Sequence, residues 1–214
     1  YDNKPKLINA IKFSGTTNNK LSVALLNAVT GEANATIRNV DDGSVRKENL
    51  VPVTNYNVVS LTQQLINDYS SVGLHNANVN RSKGGLNANN TVFVTDLYDN
   101  KRNFNFSSRF YFSNAPRFSE KNGFRGSISF EELRGNIRFL AGWVGTDKYY
   151  NQNELGYYNQ QNNQRVYARV RYQLFEEYKI LRTYSNYLYI GQTWRYDNSR
   201  RIRNGFRFGQ DFEF

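Results

Sequence analysis

Between Arg102 and Ser113 the chain reads RNFNFSSRFYFS, and no other stretch restricts its folding as much. Phe104, Phe106, Phe110 and Phe112 share one parity, while Asn103, Asn105, Ser107, Arg109 and Tyr111 take the other. An extended chain here therefore has one apolar side and one polar side, whereas a helix would scatter the same phenylalanines around its circumference. Such a strand can cover a soluble core, or it can stand in a barrel wall with lipid on its apolar side and water on its polar side.

The same alternation returns downstream. Phe124, Ile128 and Phe130 oppose Arg125, Ser127, Ser129 and Glu131; after a turn at 133–136, Ile137, Phe139, Ala141 and Trp143 oppose Arg138. Val166, Ala168, Val170, Tyr172 and Leu174 oppose Tyr167, Arg169, Arg171 and Gln173, and Leu188, Ile190, Trp194 and Tyr196 oppose Tyr187, Tyr189, Thr193 and Arg195. Phe206, Phe208, Phe212 and Phe214 oppose Arg207, Asp211 and Glu213. Upstream the pattern is less regular. Strands are expected over 6–14, over 21–29 with a continuation through Ala35 to Val40, from Pro52 to Ile66, from Ser70 to Asn80 and from Thr91 to Leu97. The apolar parity switches between Leu74 and Ala77, which predicts a bulge near His75. Turn-forming and polar stretches at 15–19, 67–69, 81–87, 98–101, 114–122 and 145–164 separate the strands.

These segments amount to about eleven strands, one per roughly 19 residues, which exceeds the ~8–12 of a compact sandwich. Strands of ~9–11 residues suit a tilted membrane crossing, and compact connections alternating with long ones are what outer-membrane barrels have. The expected fold is all-β, an antiparallel transmembrane outer-membrane β-barrel of which a part is present. An odd strand count and the absence of any methionine lead us to expect that residues 1–214 are the central part of one barrel domain, with strands missing on both sides. Phe214, ending an alternating aromatic strand, has the alternative reading of a barrel's carboxy-terminal insertion signal.

Composition narrows the chemistry. With 39% hydrophobic and 15% aromatic residues and a mean hydropathy of −0.72, the chain lacks the aliphatic runs that buried helices and parallel strands need. No cysteine is present, which removes thiol chemistry and disulfides, and a single histidine leaves little for a metal site, so no metal or cofactor is expected. No apolar run nears the ~20 residues of a spanning helix. A net charge of +10 points to anionic surroundings. The basic residues are spread over many strands without a recognition helix, zinc module or phosphate loop, so nucleic acid is not an expected partner.

Three groups of residues resemble a family of large Bacteroidota outer-membrane β-barrel proteins that carry an amino-terminal domain like a family-nine carbohydrate-binding module. The first is Pro5-Lys6-Leu7-Ile8-Asn9-Ala10 with Leu25-Leu26-Asn27-Ala28-Val29-Thr30 and Ala35-Thr36-Ile37. The second is Pro52-Val53-Thr54-Asn55-Tyr56-Asn57-Val58 with Ser70-Ser71-Val72-Gly73 and Asn76-Ala77-Asn78-Val79, and the third is Tyr150-Asn151-Gln152-Asn153-Glu154-Leu155-Gly156-Tyr157 with Asn162-Asn163. The resemblance implies an internal barrel segment in the bacterial outer membrane and brings no catalytic residue with it.

If the aromatic parity faces lipid, Arg109, Arg125, Arg138, Arg169, Arg171, Arg195 and Arg207 all face the lumen. Guanidinium forks there can attract carboxylate, phosphate or sulfate groups, or can pair with Glu131, Asp211, Glu213 and carbonyls as an internal polar network. In the long loop, Tyr149, Tyr150, Tyr157 and Tyr158 lie among amides that could contact a glycan, and equally suit an interfacial aromatic girdle. His75 could act as a base beside a serine such as Ser60, Ser70 or Ser71, or serve only structurally. Asp41-Asp42 and Asp96 with Asp99 lack the spacing of a calcium loop and are read as turn formers. The expected role is non-enzymatic, binding or passage of polar or glycan-derived solutes. The alternatives are a structural or accessory subunit of an outer-membrane assembly and, more weakly, a barrel-embedded hydrolase. The expected partners are outer-membrane lipid and lipopolysaccharide, with other outer-membrane proteins and a glycan ligand as further candidates.

Overall fold

The alternation at Phe104 to Ser113 becomes a register that carries through the whole chain. The computed structural model describes residues 4–153, 162–175 and 182–213; Tyr157, Tyr158 and Phe214 lie outside the described residues. Thirteen strands follow in order: β1 (Leu7–Thr16), β2 (Leu21–Thr30), β3 (Ala33–Arg38), β4 (Val45–Val51), β5 (Thr54–Leu65), β6 (Ser70–Arg81), β7 (Ala88–Tyr98), β8 (Phe104–Asn114), β9 (Gly123–Glu132), β10 (Ile137–Thr146), β11 (Asn163–Leu174), β12 (Thr183–Arg195) and β13 (Arg201–Glu213). Eleven form one antiparallel meander, β1-β2-β5 and then β6 through β13 in sequence, and β3 pairs only with β4. The sheet does not close on itself among the described residues, so β1 and β13 are both edges.

Every substantial strand contact joins hydrogen-bonded neighbours, so among the described residues no second layer of strands lies over either face. Among the described residues there is no helix, hence none long and apolar enough to cross a membrane. The compact turns at 17–20, 66–69, 99–103 and 133–136 lie at one end of the sheet. The β3–β4 hairpin, the connections at 82–87 and 115–122, and residues 147–153 lie at the other. Two of these turns, at 66–69 and 99–103, are tied by Asx bonds. In one, Asp99 accepts from the Phe104 N–H at 2.7 Å and the Lys101 N–H at 3.2 Å, which holds its carboxyl below the ordinary range.

Directly paired residues share a face, so the register assigns every strand. Phe106 pairs with Phe130, Phe130 with Ala141, Ala141 with Ala168, Ala168 with Ile190, and Ile190 with Phe206. In the other direction Phe110 pairs with Phe93, Phe93 with Leu74, Leu74 with Leu61, Leu61 with Val23, and the neighbouring row runs from Val59 through Leu25 to Phe13. One continuous apolar face thus crosses eleven strands. Its large side chains stand open: Phe13 is 59% exposed, Phe112 52% and Phe206 74%. Those on the opposite face are mostly half-buried against one another.

Two expectations are corrected. Ala35 to Val40 does not continue β2; the chain breaks at Gly31, whose N–H closes the β1–β2 ladder onto the Lys6 carbonyl at 2.8 Å, and turns off into the β3–β4 hairpin. Nor is there a bulge at His75, since β6 pairs without a shift to both β5 and β7. The parity changes because the faces exchange polarity toward the long-loop end. There the otherwise apolar face carries a row of asparagines in register on consecutive strands, Asn27, Asn57, Asn78, Asn89 and Asn114. Asn27 Nδ2 donates to Asn55 and Asn57 at 2.6 and 2.7 Å, and Asn76 Nδ2 donates to Thr91 at 2.8 Å. On the reverse side of the same strands Val79, Ala88 and Ala115 form a small buried cluster against Tyr56.

Candidate functional site

All seven arginines singled out in the sequence lie on the polar face. Arg109 and Arg125 share it through Ser127 and Tyr111, Arg138 pairs directly with Arg171, Arg169 pairs with Tyr189, Tyr189 with Arg207, and Arg195 with Asn163. Three meet carboxylates: Arg109 with Asp96 at 3.6 Å, Arg169 with Glu131 at 3.3 Å, and Arg195 with Asp197 at 3.0 Å. Arg138 donates through Nε to the Gly135 carbonyl at 3.2 Å and stacks over Phe175, while Arg125 lies over Tyr111 and Arg171 over Tyr187. Asp197, held by Arg195 and then by Asn162, has its carboxyl lowered to about 2.

On β11 and β13 two more arginines belong to this face and escaped the sequence reading. Arg165 faces Val144 and Thr193, and Thr193 in turn faces Arg203. Their signal was present, since Arg165 shares its parity with Arg169 and Arg171, and Arg203 with Arg207. Among the described residues no carboxylate pairs with Arg165, Arg203 or Arg207, and Arg165 Nε is buried without a hydrogen-bond partner. A cavity of about 520 Å³ lies among Arg165, Arg169, Arg203, Arg207, Tyr167 and Tyr189. Arg165 and Arg203 also line an adjoining space of about 410 Å³.

The second component of the face is the chain leaving β10. Asp147 accepts from Phe124 N–H through one carboxylate oxygen, and from Tyr149 and Tyr150 N–H through the other, folding the chain back over β9. It passes so close to Gly123 that a Cβ there would lie 2.2 Å from the Tyr150 Cα. Asn151 N–H then donates to Ser113 Oγ on β8 at 3.0 Å, and Gln152 reaches a cavity of about 210 Å³ lined by Val58, His75, Asn90 and Val92. Tyr150 is 0% exposed, edge-on to Tyr111 at 6.2 Å, with its hydroxyl donating to Gln152 Oε1 at 2.7 Å. Of the four loop tyrosines, Tyr150 is therefore a wedge against the sheet. Tyr149 is half-buried beside Lys148 and Lys121, whose hydrogen bonds lower its phenol below the ordinary value.

His75 and Ser60 are cross-strand partners on this face, with Ser60 Oγ and His75 Nδ1 2.7 Å apart. Of the three serines considered, Ser60 is the one placed against His75; Ser70 Oγ instead donates to the Tyr98 carbonyl. Ser60 sits mid-strand between β2 and β6, where neighbouring N–H groups are committed to the ladders. That leaves no pair of free backbone donors for an oxyanion. Asp42 and Asp99 accept bonds from their own turns, Asp96 pairs with Arg109, and the described residues contain no cluster of three metal-ligating side chains.

Fold and site together define a class: an uncovered antiparallel meander with an apolar face and an arginine-bearing polar face, across which one connecting segment is folded. Over residues 1–214 the sequence matches the family described as a domain of unknown function, DUF5916, and the chain belongs to that family. No curated protein and no solved structure matches it.

Proposed function

We propose that this chain is part of the wall of an outer-membrane β-barrel that binds or passes polar solutes, glycan-derived ones among them, without catalysing a reaction. The observation that carries this is the uncovered apolar face. A soluble protein of this size buries such side chains, and contiguous exposed apolar patches of this extent mark a surface that meets something apolar. Phe104 to Phe112 on β8 spans eight residue steps, about 27 Å along the strand. That is about 20 Å across the membrane at a tilt of ~40°, near the ~25 Å band of a barrel. The asparagine row suits the headgroup boundary, where amides meet the sugars and phosphates of lipopolysaccharide. The polar face would then line the lumen, and Asp147 to Asn153 would narrow it. In this setting the seven lumen arginines bias the interior toward anionic and polar solutes.

A structural role within an outer-membrane assembly is favoured by a different observation: the β3–β4 hairpin exposes Ile37, Val40, Val45 and Leu50 at the long-loop end, with Val40 96% exposed. Reconstitution of the full-length protein into planar bilayers separates the two. Discrete conductance steps with anion preference support passage, silent insertion with co-purifying outer-membrane proteins supports the assembly role, and failure to enter liposomes at all removes both.

A further inference from the structure

We propose that the polar face across β11, β12 and β13 is a binding site for an acidic oligosaccharide carrying carboxylate or sulfate groups. The inference rests on the polar face being open to water, as the proposed barrel lumen would be, and adds to it a defined site and ligand class. The register builds the site in three rows. Arg165, Thr193 and Arg203 form one; Arg169, Tyr189 and Arg207 form another; Tyr167, Gly191 and Gly205 lie between them. Two strand spacings put the arginines of each row about 10 Å apart, and four residue steps put the rows about 13 Å apart. The backbones of the four arginines thus stand at the corners of a depression of about 520 Å³ that their side chains line.

Its middle row is low because Gly191 and Gly205 carry no side chain. Tyr189 leans over Gly191, where a Cβ would meet its hydroxyl at 2.7 Å, and Tyr167 lies over Gly142, where the same distance is 2.6 Å. The two rings stack at 6.3 Å and 25°, lying down along the sheet rather than standing from it. The Tyr189 ring, lying on Gly191, turns its outer face toward the cavity, a platform for the C–H face of a pyranose. Only Arg169 has a carboxylate partner, Glu131. Arg165, Arg203 and Arg207 have none among the described residues, and Arg165, whose guanidinium lies over the Tyr167 ring at 5.1 Å, has a buried Nε without a partner. Cations left together without counter-charge repel one another, and planar forks satisfy carboxylate and sulfate oxygens in pairs. A backbone spacing of about 10 by 13 Å spreads the four arginines over more than a single small anion and suits charges carried on successive sugar rings.

The test uses the full-length protein in detergent micelles and calorimetric titration with four probes: tri-galacturonate, a trisulfated heparin disaccharide, neutral maltotriose and sodium sulfate. The expected order is both acidic sugars bound, sulfate at least about tenfold weaker, and maltotriose unbound. The R165Q/R203Q variant is expected to lose about 100-fold in acidic-sugar affinity, roughly tenfold for each charge-assisted contact. T193E, which sets a carboxylate between those arginines, is expected to abolish binding, and K47Q on the hairpin to leave it unchanged. Equal binding of maltotriose and the acidic sugars, sulfate binding as tightly as they do, full affinity in both variants, or no binding of either acidic probe overturns the proposal. Heat-modifiable gel migration is read on the same samples. A folded barrel that ignores acidic sugars refutes this site alone, whereas specific binding without barrel behaviour refutes the membrane reading alone.

Discussion

Replacing Gly123 by alanine tests whether the segment after β10 is held on the polar face as a wedge. A Cβ at this position would lie 2.2 Å and 2.3 Å from the Tyr150 Cα and N, and these are backbone atoms that cannot rotate aside. The segment must therefore lift. Lifting exposes Tyr150, now fully buried, at about 1.5–3 kcal/mol. It breaks the Asn151 to Ser113 bond at about 1 kcal/mol, and it separates the Tyr111 and Tyr150 rings at about 0.5–1.5 kcal/mol. The sum, about 3 to 5.5 kcal/mol, corresponds to a change of roughly 10² to 10⁴-fold in the opening equilibrium. Hydrogen–deuterium exchange of a peptide covering 147–153 reads it directly. G123A should lose protection there while peptides from β5 and β6 keep theirs. G15A, whose added Cβ would lie 4.0 Å from the Phe13 ring, should change nothing. Unchanged protection of 147–153 in G123A would refute the wedge.

Two further perturbations address other parts of the face. Asp197 has its carboxyl lowered to about 2 from an ordinary 3.8 by Arg195 and Asn162, so the contacts it makes contribute fully above about pH 4 and are lost as pH falls toward 2; amide protection at 196–199, taken relative to the intrinsic exchange rate at each pH, should fall across that window in the wild type and be low and flat in D197N. Replacing Ser60 by alanine or His75 by glutamine removes a cross-strand hydrogen bond, with an expected stability loss of about 0.5–1.5 kcal/mol and no change in the release of nitrophenol from p-nitrophenyl butyrate; turnover that both variants abolish would establish the hydrolase alternative.

From β8 to β13 the architecture is legible because the alternation is strict and each face has one chemistry. Phe104 to Phe112 and Arg165 to Arg171 need only parity to be assigned. The upstream half resists the same treatment for a physical reason. Asn76 and Asn78 stand on the same face as Leu74, while Ala77 and Val79 stand on the face of Arg81, so polarity reverses along one unbroken strand. A pattern of residue types alone renders that as a bulge. The β3–β4 hairpin is hidden because its residues continue the β-forming character of β2, and the turn-off at Gly31 is stabilised by a bond to Lys6, distant in sequence. The Ser60–His75 contact and the four-arginine depression depend on inter-strand register, which no single strand encodes. Tyr150 is the sharpest instance: in sequence it is one tyrosine of a polar loop, and only its approach to Gly123, on a different strand, makes it a wedge.

The facing of β8 bears most directly on the whole account, and the absence of native cysteine makes it measurable without background. Single cysteines at positions 105 to 111, spin-labelled in protein reconstituted into liposomes, report collisions with oxygen, which concentrates in lipid, and with a water-soluble nickel chelate. A period of two is predicted, with oxygen dominant at Phe106, Ser108 and Phe110 and nickel dominant at Asn105, Ser107, Arg109 and Tyr111. Labels at Phe106 and Phe110 that are shielded from both reagents, or that meet the nickel chelate as freely as Ser107 and Arg109 do, would contradict it.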